Sequence, residues 1–455
     1  MVIVDTITMS TMNYFKFIWS IEHCKPKLRK EMNRREAVLV TGKSILSIYL
    51  SSLIWPVKSF ASQPGILNVA DFGATGDGIT DDSYAFQKAF IKASESGGAK
   101  VYFPKPKKEY LLKFPVFIFN NTEAYGDGKD TRIVFENPVF SKGRGGFVIG
   151  SSLEANRDLA LTRLSNRSLS TTINQNFKNP VQRHYIRDTP ELAQAKGSSL
   201  HDIYLEARFT AGSESNWGGY GINFVNAIDC HASNIWGKGW TQLIGMGSDT
   251  PPETPSNHNC SAKNLYVLEP DMVRTYYSIG FMANSSNCTI QNAKQLKPMS
   301  EGSKNGSGVA LNFCEDCIIS DIDIPDLGRT QTSEGVLINN SSGCLIQNIN
   351  IGNAKKAVST FFKFKDTQKE FKPNMIKNIK GSNCDIVLSV YSKFNIIRNI
   401  KGENSGRVIA LMNTNAARNV ISAPEADIST PGNDETTRES YSANAQAARA
   451  SQLRR

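Results

Sequence analysis

The chain is poor in the residues that most often carry ligand chemistry. It has five histidines in 455 residues, and the four beyond residue 61 (His184, His201, His231 and His258) show no metal-ligand spacing. Cys314 and Cys317 stand without a second pair, so a zinc site of the Cys/His type is excluded. No phosphate-binding loop and no dinucleotide fingerprint occurs. Strong charge of one sign is also missing. The net charge is +10, but residues 1–61 hold nine basic and four acidic side chains, which leaves an excess of five on the remainder. That balance argues against a nucleic-acid binder. Charged residues at 21% and aromatics at 9% are ordinary, so wholesale disorder is excluded too.

An unbroken apolar run of membrane-spanning length is lacking as well. Residues 37–57 are apolar but diluted by Gly42, Lys43 and several serines. With Arg34 and Arg35 before them and Ser59, Phe60 and Ala61 after, they read as an export signal with a small-residue cleavage site. The arginine pair is similar to a twin-arginine signal, although Ala37 and Val38 stand where Phe-Leu is usual. Residues 1–31 then lie before a second start at Met32. The expected domains are an export region at 1–61, one folded domain at 62–423 and a disordered tail at 424–455, rich in Ser, Thr and Ala. The expected location is secreted or periplasmic, with membrane contact only through an uncleaved signal.

What the chain does have is a repeat. Cys230, Cys260, Cys288, Cys317 and Cys344 each open a short apolar-alternating segment. The same frame begins at 198–203 and continues at 374–379, 395–400 and 415–420, giving nine units 20–32 residues apart. Units of that length cannot bury an apolar face alone and must stack. The Cys column is predicted to point inward as small hydrophobes. A second column (Asp202, Asn234, Asn264, Asn292, Asp321, Asn348, Asn378, Asn399 and Asn419) is predicted to sit at a bend, hydrogen-bonding the backbone of adjacent turns, with Asp321 inward. About nine residues before the Cys position, segments starting at Gly221, Gly280, Gly308 and Gly335 read as a second strand.

Residues 68–112 carry Asn68-Val69-Ala70-Asp71-Phe72-Gly73-Ala74-Thr75-Gly76-Asp77-Gly78, then Asp81-Asp82, Ala85-Phe86-Gln87-Lys88-Ala89, Gly97-Gly98 and Val101-Tyr102-Phe103-Pro104. This stretch resembles the N-terminal motif of the pectate lyase superfamily, which includes polygalacturonase-like hydrolases and phage tailspikes. The resemblance implies an all-β fold, a single-stranded right-handed parallel β-helix (solenoid), with an N-terminal capping helix. In that helix Thr80 or Asp81 is the expected N-cap, and Ala85, Phe86, Ala89, Phe90 and Ala93 form one apolar stripe. The polygalacturonase motifs Asn-Thr-Asp, Gly-His-Gly and Arg-Ile-Lys are absent, and Asp81-Asp82 belongs to the cap. No catalytic residue carries over.

The expected function is polysaccharide degradation by hydrolysis or elimination. The alternatives are a non-catalytic carbohydrate-binding β-helix and a tailspike-like depolymerase. Candidate catalytic groups lie in loops entering the glycine-start strands: Asp271 and Arg274, then Asp326, Arg329 and Glu334. Candidate substrate contacts are Tyr276 and the outward aromatics Tyr204, Trp236 and Tyr266, two residues past the Asn/Asp column on consecutive coils. No resident cofactor is expected, calcium entering only for a lyase. The expected partner is the polysaccharide, with no nucleic acid.

Overall fold

A computed structural model describes residues 65–136, 145–150, 195–208, 219–247, 257–270, 277–299, 306–329, 333–361, 372–393, 395–412, 419–422 and 428–429. The chain divides into two units, Met1–Gln63 and Pro64–Arg455. The first, where the export signal was expected, lies outside the described residues, as does nearly all of the tail beyond 423. Among the described residues no helix is long and apolar enough to cross a membrane.

The second unit is a parallel β-helix. Its strands are shared among a 14-stranded, an 11-stranded and a short 4-stranded sheet. Every described pairing between named strands is parallel, and each coil contributes one strand to each long sheet in turn. The helix Ser83–Glu95 buries the expected stripe of Ala85, Phe86, Ala89, Phe90 and Ala93. Phe86 packs on Phe103 and Tyr110, with ring centres 4.9 and 5.1 Å away. Gln87 ties the helix to the strand Val116–Ile118, accepting from Phe117 N at 2.8 Å and donating to its carbonyl at 3.2 Å. The expected cap shifts by one residue. Asp82 stands at the N-cap and makes no capping bond, because its carboxylate accepts from the amides of Thr75 and Gly76 instead. Asp81 accepts from Ser83 N at 3.0 Å.

In the 14-stranded sheet each repeat strand bends at one residue held at φ between +51° and +58°, from Asp202 to Asn399. Asn and Asp tolerate this left-handed geometry better than other side-chain-bearing residues. The bend absorbs one step of the pleat, so Ala232 and Ile235 both point inward across Ser233 and Asn234. From Asp202 to Asn399 the column is therefore outward, Asp321 included where it was expected inward, and its side chains bond one another rather than the backbone of adjacent turns. It is a ladder of side chains on the outer surface. Asn234 donates to Asp202, Asn264 to Asn234 and Asn292 to Asn264 at 2.7–2.8 Å. Asn348, Asn378 and Asn399 continue it from Asp321 at 2.8–2.9 Å.

Asn419 leaves that ladder. The last described turn of the sheet pairs Ile396 with Val420, so Asn419 falls in line with Asn395, four residues away from the frame the repeat implied. It accepts from Asn395 N at 2.7 Å inside the core. The stack also starts earlier than the repeat showed, because the strands Ile66–Asn68, Ala99–Phe103 and Thr122–Glu136 precede Ser199–Arg208 in the same sheet. At the other end Ile428–Ser429 pairs with the strand Arg407–Leu411.

The Cys column is interior, as expected. Cys260 N donates to Cys288 Sγ, and Cys288 N to Cys317 Sγ, both at 3.4 Å. Thr122 and Ser198 precede the cysteines in this column, and Asn374, Asn395 and Asn419 follow them. Ser198, Asn374 and Asn419 accept from the backbone N of Thr122, Cys344 and Asn395 in the coil before. All seven described cysteines are unpaired and at most 2% exposed. Thiol reagent added to the native protein should therefore leave these seven unlabelled and reach them only on denaturation. Rapid labelling of any of the five column cysteines in native protein would remove the packing described here.

Candidate functional site

On the outer face of the 14-stranded sheet, one row of in-register residues runs Arg132, Tyr204, Trp236, Tyr266, Lys294 and Asp323. The expected aromatic strip is thus real as a register, and all three rings are half-buried rather than covered. Trp236 and Tyr266 stack with centres 5.5 Å apart and planes 9° from parallel. The Arg132 guanidinium lies 5.2 Å from the Tyr204 ring centre, and Lys129 Nζ 5.5 Å from that of Trp236. Ring faces are largely taken up by one another and by cations, so the strip presents edges and flanking cations to solvent.

Beside the strip lies a cluster the sequence did not reveal. The carboxylates of Glu109 and Glu206 are 4% and 8% exposed, while Arg132 and Arg208 above them are each 42% exposed. Arg208 binds Glu109 through both terminal nitrogens and reaches Glu206 through Nε at 3.0 Å. Arg132 donates to Glu206 at 2.8 Å and stands 3.8 Å from Glu109, and its own Nε is buried without a partner. Lys238 lies in register with Glu206 and 4.0 Å from it. Two carboxylates thus face three cations.

The charges set the chemistry. Hydrogen bonds from Arg208 hold Glu109 below the usual carboxylate range. Burial pushes Glu206 up, but hydrogen bonds from Arg208 and Arg132 outweigh it, so its pKa is lowered too. Neither glutamate is a proton donor near neutral pH, as a glycosidase acid must be. Burial, reinforced by Glu206, pushes the Tyr204 hydroxyl up to about 12, so it stays protonated. What the cluster does supply is fixed, half-exposed guanidinium groups, oriented from below by buried carboxylates.

The loop candidates are placed differently. Asp271, Arg274 and Tyr276 lie outside the described residues. Asp326 accepts from Gly328 N and from Asn353 of the next coil, at 3.1 and 2.9 Å. Arg329 turns to Asp385 at 3.2 Å and to the Asn383 carbonyl. Glu334 opens a strand of the 11-stranded sheet, Glu334–Asn339, and pairs with Lys356 at 2.9 Å. There Lys356 lies over the stacked rings of Phe361 and Tyr391. No hydrogen bond or ion pair joins Asp326, Arg329 and Glu334 to one another among the described residues. In that set no group of three or more His, Cys, Asp or Glu side chains is disposed to hold a metal ion.

Glu109 and Arg208 are 99 residues apart in sequence, which hid their pairing. A signal for half of the cluster was present. Glu206 and Arg208 follow Tyr204 at two-residue steps, so strand alternation sends all three outward.

The fold and this face define a parallel β-helix with an amphipathic helix packed at its N-terminal end and a polar and aromatic outer sheet surface. The chain belongs to the family described as rhamnogalacturonase A/epimerase, pectate lyase-like, whose model matches residues 66–296, about half of its length. It is similar to a plasmin and fibronectin-binding protein A of Streptococcus pneumoniae, with 47% identity over 66 residues, 14% of this chain and 9% of that protein. It is also similar to the polygalacturonase ADPG1 of Arabidopsis thaliana, with 47% identity over 47 residues, 10% of this chain and 11% of the relative. These matches therefore span about a tenth of either relative. Among solved structures, the A-module of the Azotobacter vinelandii mannuronan C-5 epimerase AlgE6 aligns with a TM-score of 0.40 and 13% identity, over 81% of this chain and all of the module.

Proposed function

We propose that the protein is a secreted or periplasmic enzyme that degrades an acidic polysaccharide, acting by elimination rather than by two-carboxylate hydrolysis. The observation that carries this reading is the pair of half-exposed guanidinium groups of Arg132 and Arg208, locked by the buried Glu109 and Glu206. Elimination from a uronate transfers the proton beside its carboxylate to a base and breaks the bond to the leaving sugar oxygen, forming the double bond, while cations neutralise the carboxylate charge. Of these parts the cluster supplies the cations. Arg132, Arg208 and Lys238 supply that neutralisation from protein cations, in the place the sequence reading gave to calcium. Hydrolysis needs a protonated carboxyl at the bond, and Glu109 and Glu206 are both held ionised. The family description and the Arabidopsis relative both name enzymes of galacturonate-bearing polymers, in keeping with an anionic substrate.

A binding-only role is the second reading. It is favoured by the same pairing, which leaves no carboxylate of the cluster free as a base. The full chain should be incubated with polygalacturonate, an alginate and a neutral galactan, reading both ultraviolet absorbance of unsaturated ends and new reducing ends. Unsaturated products from an acidic polymer alone are the expected result. Reducing ends without unsaturation would replace elimination by hydrolysis, and binding without either product would leave a carbohydrate-binding protein.

A further inference from the structure

The same sheet face carries a second feature, six to seven strand steps beyond Tyr204 and so roughly 29–34 Å along the axis. On the strands Asn374–Ser382 and Asn395–Glu403, Lys377 lies directly opposite Arg398, and Lys380 directly opposite Lys401. Like charges in register across adjacent strands destabilise a sheet. Elsewhere in this sheet and its flanks several cations are matched with acids, Lys100 with Glu123 at 2.9 Å, Lys297 with Glu269 at 2.9 Å and Lys294 with Asp323 at 3.6 Å, and Lys263, unmatched among the described residues, has the neutral Ser233 and Gln291 as register neighbours. Here the balance fails. Lys380 reaches Glu403 at 3.0 Å, but among the described residues Lys377, Arg398 and Lys401 have no ion-pair partner. Arg398 and Lys401 are exposed and Lys377 half-exposed, flanking the exposed amides of Asn378 and Asn399. A neutral residue at any of these outward positions would relieve the repulsion at no cost in packing.

We propose that this patch is a docking surface for the polyanionic substrate chain, laid along the helix axis from the Arg132–Arg208 cluster. Register spacing places its cations about 4.8 Å apart along the axis, a repeat of the kind offered by a polymer bearing one carboxylate per sugar. The intervening row is neutral and polar, with Lys294 paired to Asp323 and Asn350 donating to Asp323 at 2.8 Å. The patch is therefore an anchoring site separate from the cluster. It rests on the acidic-polysaccharide reading above for its occupant, while its charge pattern stands independently.

The test is the triple variant Lys377→Ala/Arg398→Ala/Lys401→Ala in the full chain, compared with the parent. Affinity for polygalacturonate should fall about tenfold, with a shallower dependence on salt. The thermal midpoint should hold or rise, because the repulsion is relieved. A lowered midpoint would mean that these side chains stabilise the sheet, and unchanged affinity would overturn the proposal. Equal or tighter binding of the parent to duplex DNA or to phosphatidylserine vesicles, lost in the same variant, would assign the patch to another polyanion and overturn it as well. Turnover separates this proposal from the function above. Loss of polymer turnover with short oligogalacturonates still cleaved at the parent rate supports both. Equal turnover of polymer by variant and parent removes the docking surface alone. Absence of product from any substrate, with binding to the patch intact, removes the enzyme reading alone.

Discussion

Cys317→Asp should abolish folding, whereas Cys317→Asn should leave the protein folded. Cys317 is fully buried, accepts from Cys288 N at 3.4 Å and has its Sγ 3.4 Å from the carbonyls of Ser285 and Glu315. An aspartate there would place an unpaired charge among carbonyl oxygens, at a cost of at least ~3 kcal/mol. Asparagine already occupies the equivalent position two coils on. Asn374 accepts from Cys344 N at 3.0 Å and donates to the Ser341 carbonyl at 2.9 Å, and Ser341 and Ser285 each stand three residues before a column cysteine. The amide at 317 should reproduce both bonds for about 1 kcal/mol or less. Denaturant titration of the two variants decides the matter. Equal stability of the aspartate variant and the parent would show that the column is not a dry interior ladder.

Arg208→Ala should reverse the pH dependence of stability. In the parent, Glu109 and Glu206 have folded pKa values below their ordinary 4.5. Their contribution is complete above that value and is lost as pH falls below it through the folded values. Without Arg208, Glu109 keeps Arg132 at 3.8 Å and the more distant charge of Lys108, and burial becomes the dominant influence on its carboxyl. A folded pKa raised by burial works in the opposite sense: its contribution is present below the unfolded value and disappears as pH rises through the folded one. The variant should lose about 3 kcal/mol near neutrality and recover part of the loss on acidification toward the ordinary 4.5, where the parent contribution is unchanged and falls only below that value. Adding Glu109→Gln should remove most of that recovery. Unfolding midpoints from neutral pH down to pH 4 read the slope, and parallel slopes in parent and variant would show that the pair is too well solvated to act as a locked cation.

Much of the fold was legible because a solenoid writes its architecture locally. Small interior residues recur once per coil, and the bend demands Asn or Asp at one fixed position, so both columns appear as a period in the chain. The differences have separate physical causes. Asn419 was misaligned because the segment before it is longer than the previous linker, and spacing alone cannot locate the register that Ile396 and Val420 establish. Asp321 is outward and not inward as expected, because the positive φ at each column residue cancels one step of the pleat and turns that side chain to the surface. The coils before Ser198 escape the repeat because Thr122 stands in the Cys position there, its hydroxyl donating to the carbonyl two residues back as the column thiols do.

The sequence by itself determined the stacked-coil architecture, the inward Cys column, the capping helix stripe and the outward register of Tyr204, Trp236 and Tyr266, since each depends on neighbours within one coil or on a repeat of fixed length. Only the tertiary structure decided which charges meet. Glu109 comes from a strand before the repeats and Arg208 from the first repeat strand, and nothing local couples residues 99 positions apart. Stacking also sets Lys377 against Arg398, and Lys380 against Lys401. Charge partners across coils are chosen by register, which is a property of the assembled stack rather than of any segment in it.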